Sequence, residues 1–236
     1  ENISVRGVFF MFYPSLQEIK TIESRSYDIC PVCDSMLADV RDPISLMRVL
    51  AGVSEHRFLF ESADHSAQRG RWTFAGFDPK LCITCKDGEV DVSGEKTVTD
   101  DPMQVIRNIL AHYKSPRMKK MPPFTGGLVG YFAYDSFKYA EPSLELNSHD
   151  TDGCNDIDLM LFDNVIAYDS FHQLIYITVN IKLDDAENEY KRAESEIEKI
   201  KKLICSGVPA DIKKGVLKSE PELFYSKDEY CRKVQE

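Results

Sequence analysis

No apolar run in this chain is long enough to cross a bilayer. The runs Val8 to Phe12 and Leu159 to Phe162 fall far short of the roughly 20 residues that a membrane helix needs. The first follows a lone Arg6, is too short for the core of a signal peptide and has no small-residue cleavage site behind it. A cytoplasmic location, or a plastid one after loss of a transit peptide, fits better than secretion. Positive charge is in deficit too: 29 Lys and Arg stand against 39 Asp and Glu, for a formal net charge of -10 and a pI near 5.1. A surface that holds nucleic acid irrespective of sequence needs clustered cations to displace counterions. Neither nucleic acid nor a membrane is an expected partner.

Familiar metal and phosphate signatures are missing as well. Seven cysteines make an odd number in a chain too long to need covalent staples, so they read as free thiols. Cys30-Pro31-Val32-Cys33 and Cys82-Ile83-Thr84-Cys85 are spaced like halves of a zinc site, but such sites hold each pair in a tight turn. Leu81 to Lys86 reads instead as a strand leading into an Asp87-Gly88 hairpin turn, and strand residues three apart point to opposite faces. A zinc-bound module is therefore disfavoured. Asp150, Asp152, Asp156 and Asp158 imitate a calcium loop, yet Leu161 stands where the bidentate glutamate belongs and the turn glycine is misplaced. Gly126, Gly127 and Gly130 match neither a dinucleotide fingerprint nor a phosphate loop, and no Lys follows them. They read as positions of close backbone approach within a sheet. The five histidines show no pairing with Cys or carboxylates at ligand spacing.

What the chain does have is a hydrophobic content of 43% over 236 residues, enough for a sizeable core in one large or two small domains. Ser15 with Glu18 forms a capping box, which predicts a helix over 16–24. Pro43 opens a second helix over 43–53, with Ile44, Leu46, Met47, Val49 and Leu50 on one broad face. Extended segments follow at Arg57 to Ser62, Arg71 to Phe77, Leu81 to Lys86 and Glu89 to Val92. Asp101-Pro102 starts a helix over 101–114, with Met103, Val105, Ile106, Ile109 and Leu110 at helical spacing. Lys114 to Pro123 is a basic, proline-bearing loop, and Gly126 to Tyr134 reads as a buried strand. Leu159 to Tyr168 and Leu174 to Ile181 predict one long antiparallel hairpin across Asp169-Ser170-Phe171-His172.

A charged helix is predicted over 184–206, with Ile197, Ile200, Leu203 and Ile204 as its apolar stripe and Gly207 as its stop. Val208 to Phe224 reads as a linker. Ser226 and Glu229 make a second capping box, with Tyr230 and Val234 beginning an apolar face. Such a short helix does not persist alone in water, so the chain is expected to continue past Glu236. Met11 stands just ahead of the first helix signal, so residues 1–12 are expected to be an extraneous or disordered N-terminus. The predicted class is α+β: a largely antiparallel, sandwich-like sheet with helices on its outer faces.

Five segments carry a family resemblance. ICPVCDSMLADVRDPISLMRVL, RFLFESADHS, GRWTFAGFDPKL, PPFTGGLVGYFAYD and DLMLFDNVIAYD follow in the order and approximate spacing of the N-terminal region of anthranilate synthase component I, a chorismate-utilising enzyme. The resemblance runs from about Tyr13 onward. LADVRDPISLMRVL and Glu61-Ser62 look more like the anthranilate enzyme than its relative aminodeoxychorismate synthase component I, which stays as an alternative. The chain departs from the family pattern at Phe60, where Leu is usual, and at Trp72, where Tyr is usual. The resemblance divides it into a regulatory domain over 13–207 and, over 208–236, a linker with the start of a chorismate-binding domain.

On a strand, Leu59 and Glu61 face one way while Phe60 and Ser62 face the other, so a hydroxyl sits beside an aromatic ring. Taken alone, that is either an ordinary core strand whose Ser62 bonds to backbone or one wall for an aromatic amino acid. The resemblance selects the wall: in the family this segment helps bind tryptophan, the inhibitory end product, with Ser62 matching the motif serine and Leu59 and Glu61 its flanks. Arg71 and Trp72 match a segment near the same pocket; Arg71 either orients a carboxylate or makes an exposed ion pair, and Trp72 either packs on an indole or fills the core. The resemblance further implies a carbon-oxygen lyase that makes anthranilate from chorismate, with Mg2+ and with ammonia from a glutamine amidotransferase subunit. The family's catalytic and metal-binding carboxylates belong to its other half. No catalytic or metal residue is expected in this chain, which alone should be inactive and bind tryptophan weakly or not at all. A free-standing amino-acid-binding module is the remaining reading.

Overall fold

The computed structural model describes residues 12–22, 26–62, 70–141, 143, 153–211 and 215–235. Expectations for residues 1–11, Glu23, Ser24, Asp150 and Asp152 lie outside them. In chain order the elements are α1 (Leu16–Lys20), β1 (Ile29–Leu37), α2 (Pro43–Leu50), β2 (Arg57–Glu61), β3 (Trp72–Phe77), β4 (Leu81–Lys86), β5 (Glu89–Val92), β6 (Glu95–Val98) and α3 (Pro102–Leu110). After these come β7 (Gly127–Phe132), a 3-10 helix (Tyr134–Tyr139), β8 (Ile157–Phe162), β9 (Asn164–Asp169), β10 (Leu174–Lys182), α4 (Ala186–Ser206) and α5 (Lys227–Gln235). Two five-stranded sheets result, ordered β1-β10-β9-β3-β2 and β6-β5-β4-β8-β7. Every pairing is antiparallel, as the α+β class requires.

The first three helices start at their predicted caps and end sooner than expected. Ser15 and Glu18 close the capping box of α1, and Thr21 ends it. Asp42 and Asp101 cap α2 and α3 from outside, each followed by a proline whose missing N–H costs nothing in the first turn. Ala51 and Ala111 then end those helices short of residues 53 and 114. Likewise α4 begins at Ala186, two residues after the predicted start, because Asp185 is its N-cap. Leu46, Val49 and Leu50 of α2 are buried, whereas Ile44, predicted on that face, is 55% exposed. Tyr190, Ala193, Ile197, Ile200 and Ile204 of α4 pack with Val32, Ile177, Val179 and Ile181, so α4 covers the β1–β10 half of the first sheet. Gly207 ends α4, though in an extended conformation rather than a left-handed one. There Arg41 donates from Nε to the Ile204 carbonyl at 2.7 Å and from Nη2 to the Gly207 carbonyl at 3.0 Å, satisfying two groups that the helix end leaves open. On the second sheet, Ile106 of α3 packs with Ile83, Cys85, Val90, Ile157 and Leu159.

The largest departure concerns the long hairpin. Leu159 to Tyr168 is not one strand: β8 belongs to the second sheet, β9 to the first, and Asp163 alone joins them. Of β8 and β9, it is β9 that pairs with β10, from Leu174 opposite Asp169 to Val179 opposite Asn164. Phe162 turns inward at the crossing and meets Phe58 edge-on at 4.8 Å between ring centroids, so an aromatic contact fills the space where the sheets approach. β7 is also not a buried strand, since it forms the edge of its sheet and exposes Tyr131 and Phe132. The edge strands β1 and β6 were not foreseen.

Close approach explains one glycine of β7. A Cβ on Gly130, whose φ is +156°, would stand 1.9 Å from the Asp158 carbonyl oxygen across the β7–β8 pair. Gly130→Ala is expected to cost about 1–3 kcal/mol through displaced backbone, seen as a melting temperature lower by several degrees. An unchanged thermal transition would contradict this packing.

Candidate functional site

The candidate effector segment lies at the edge of the first sheet, where among the described residues β2 pairs only with β3. Leu59 stands opposite Ala75, Phe60 opposite Phe74 and Glu61 opposite Thr73. Alternation sends Leu59 toward the helix-covered core and Phe60 to the other face. On that second face the Phe58 and Phe60 rings lie 5.3 Å apart, and Trp72 stacks on Phe74 at 6.1 Å with 14° between planes. Tyr176 closes the far side of Trp72 at 5.9 Å. Phe60 is 54% exposed. An aromatic wall with one open side results, and Ser62 directly follows the end of β2.

A buried charge cluster bounds this wall. Asp169, the last residue of β9, lies opposite Trp72 and is fully buried. Arg71 grips its carboxylate with both arms of the fork, Nε to Oδ1 at 2.9 Å and Nη2 to Oδ2 at 2.6 Å. The guanidinium also lies 4.8 Å over the Trp72 ring, a cation–π contact. Nδ1 of His172 is 2.8 Å from Asp169 Oδ2 and 3.0 Å from Arg71 Nη2. A carboxylate only accepts and a guanidinium only donates, so a proton on Nδ1 makes the bond to Asp169 and leaves the approach of Arg71 Nη2 a contact without a hydrogen bond. The N–H groups of Phe171 and His172 donate to Oδ1 at 3.1 and 3.2 Å, folding the turn back on its own aspartate. Burial alone would push the Asp169 carboxyl up; the bonds from Arg71 and His172 outweigh it and hold the group below its ordinary 3.8.

Of the residues singled out from the sequence, Arg71 and Trp72 thus share a patch with Phe60, and Ser62 is the first residue after β2. Leu59 is turned into the helix-side core and Glu61 lies exposed at the edge. Arg71 is an ion pair, although with a buried partner rather than an exposed one. Asp169 and His172 were read only as part of a turn. The cysteine pairs sit in β1 and β4; Cys30 packs in the helix-side core and Cys33 on the opposite face, and burial pushes both thiols up to about 12. Asp156 is occupied as well: it accepts from the Tyr139 hydroxyl at 2.6 Å and the Asp87 N–H at 2.8 Å, and pairs with Lys138 at 3.0 Å. The magnesium that the resemblance implies therefore finds no fit here. Among the described residues no three His, Cys, Asp or Glu side chains gather as a metal would need, and the buried carboxylates are filled by cations and N–H groups of the chain itself. Nor, among those residues, is any helix long and apolar enough to cross a membrane.

Similarity to known proteins covers this whole region. Anthranilate synthase component 1 of Acetivibrio thermocellus is 30% identical over 236 residues, 95% of this chain and 47% of that protein. The protein of the same name from Acinetobacter calcoaceticus is 30% identical over 209 residues, 85% of this chain and 42% of that protein. The chain is a relative of anthranilate synthase component 1. Arabidopsis thaliana anthranilate synthase alpha subunit 2, chloroplastic, is 27% identical over 220 residues, 85% of this chain and 35% of its own length. The chain spans less than half the length of these relatives. A solved anthranilate synthase component I from Streptococcus pneumoniae TIGR4 superposes with a TM-score of 0.46 at 20% identity, over 70% of this chain and 36% of that one. No family model matches.

Because Asp169 is depressed, its contribution to stability is complete above 3.8 and is lost as pH falls through its folded value. In this anthranilate synthase relative, Asp169→Asn is expected to lower stability at neutral pH by about 2–4 kcal/mol and to lose less further stability than the parent as pH falls below the ordinary carboxyl value. Parallel acid-unfolding curves for the two proteins would contradict the ion pair.

Proposed function

We propose that this chain is the N-terminal, tryptophan-sensing part of an anthranilate synthase component I, over residues 13–207, followed by a linker and the first helix of a chorismate-binding domain. The whole protein would make anthranilate from chorismate and ammonia, drawing ammonia from a glutamine amidotransferase subunit and using Mg2+ held outside this chain. A cytoplasmic setting, or a plastid one as the Arabidopsis relative's name has it, agrees with that role.

The observation that carries the reading is the aromatic wall of Phe60, Trp72 and Phe74, open on one side and bounded by the Arg71–Asp169 pair, with Ser62 next in the chain after β2. An indole ring is a flat, apolar surface with one N–H donor, and offset stacking on such a wall contributes about 0.5–1.5 kcal/mol beyond the area it buries. Ser62 adds a hydroxyl that donates to a carboxylate or accepts from an ammonium group. One wall is a partial pocket, so binding to this chain alone should be weak.

The chain has a single tryptophan, so its spectrum holds one indole N–H signal, that of Trp72. Titrating the 15N-labelled chain with L-tryptophan should move this signal to saturation with a Kd of about 1–10 mM. Ser62→Ala should raise that Kd about five- to tenfold through one lost hydrogen bond. A spectrum indifferent to L-tryptophan up to its solubility limit would overturn the reading. Supplied with chorismate, ammonia and magnesium, the same chain should form no anthranilate, and sustained turnover would contradict the assignment of its chemistry to another segment.

A further inference from the structure

Asp169 is fully buried and so cannot touch a ligand on the aromatic wall. It nevertheless fixes the point from which the wall starts. The turn after it clamps the segment leading into β3: the Ser170 N–H donates to the Arg71 carbonyl at 3.0 Å, and the Ser170 hydroxyl reaches the same oxygen at 2.9 Å. The carboxylate then holds the Arg71 side chain, whose guanidinium lies over Trp72 at 4.8 Å and over Phe171 at 5.8 Å. Arg71 is thereby fixed at backbone and side chain by one turn. Among the described residues β2 has no strand neighbour besides β3, so Phe60 takes its position from Phe74 opposite.

We propose that Asp169 is a positioning residue for the amino-acid wall, setting ligand affinity through Arg71 and Trp72 without contacting the ligand. The inference rests on the effector reading above. Two of the five Arg71 donors, on Nε and Nη2, are spent on Asp169, so the Asp169 carboxylate dictates which edge of the fork faces outward. Asparagine at this position keeps the shape and accepts from the turn N–H groups, but it has one acceptor oxygen and no charge to hold both arms. Freed, the guanidinium leaves the Trp72 face and the ring gains rotamers that a ligand must then freeze.

Asp34 provides the comparison. It is also a buried carboxylate, 6% exposed, and is held by Lys201 of α4 at 2.5 Å, on the helix-covered face away from the wall. Asp34→Asn should lower stability without altering the wall. The experiment is the L-tryptophan titration read at the Trp72 indole signal, on the parent chain and on Asp169→Asn, Asp34→Asn and Arg71→Lys, with the melting temperature of each recorded. Asp169→Asn should displace the ligand-free indole signal and raise Kd at least tenfold, while Asp34→Asn leaves both within twofold despite a lower melting temperature. Arg71→Lys, which keeps the charge but not the fork, should match Asp169→Asn and provides the test where that variant fails to fold. Parent-like affinity in Asp169→Asn or Arg71→Lys overturns the proposal and leaves the effector reading standing. Equal loss of affinity in Asp34→Asn also overturns it, since stability alone would then explain the effect. Absence of binding by the parent chain overturns the effector reading and the inference with it.

Discussion

One residue, Asp163, carries the chain from the second sheet to the first, and the rest of the molecule is arranged around that crossing. Asn180 of β10 secures it, donating from its backbone N–H to the Asp163 carbonyl at 3.0 Å and from its side chain to the same oxygen at 2.9 Å and to the Thr125 carbonyl at 2.7 Å. Gly126 makes room for that amide, because a Cβ there would stand 2.5 Å from it. Three segments distant in sequence are thus tied through two carbonyls, those of Asp163 and Thr125, to the backbone and side-chain N–H groups of one residue. Phe162, just before the crossing, fills the space beneath Phe58. A buried polar junction of this kind is stable only when all its partners are present, which makes the crossing specific rather than merely tolerated.

The proposed binding edge follows from it. Sending β9 into the middle of the first sheet sets its last residue, Asp169, beside Trp72 and beneath Arg71, and leaves β2 as the edge strand with one face of Phe60 open. Such a pair gains little over a well-packed apolar one, although removing a single partner is costly. Its value is directional: the fork fixes where the guanidinium sits, and the guanidinium fixes the indole of Trp72. That combination of a rigid start and an open side suits a binding wall better than a finished core does.

Much of this was legible where the signal is local. The Ser15–Glu18 box, the proline-initiated helices α2 and α3 and the β4–β5 hairpin at Asp87-Gly88 all fall where short-range rules put them. The strand β1 was hidden by Pro31, which lacks a donor and argues against a strand unless that strand lies at an edge, as β1 does. The crossing was hidden because Leu159 to Phe162 and Val165 to Tyr168 are both apolar, and the intervening Asp163-Asn164 does not tell a turn from a change of sheet. At the site, Ser62, Arg71 and Trp72 were reached through resemblance to anthranilate synthase. Asp169 was not, because it looks like a turn residue and its partner Arg71 lies 98 positions away in sequence.

Hydrogen exchange along the backbone tests most directly whether the edge strands form a tryptophan-binding wall, since a ligand on them suppresses their local opening. The account predicts that L-tryptophan slows exchange in β2, β3 and the turn from Asp169 to Gln173 and leaves β4, β5 and β6 unchanged. Protection confined to the second sheet, or none anywhere at saturating L-tryptophan, would contradict it.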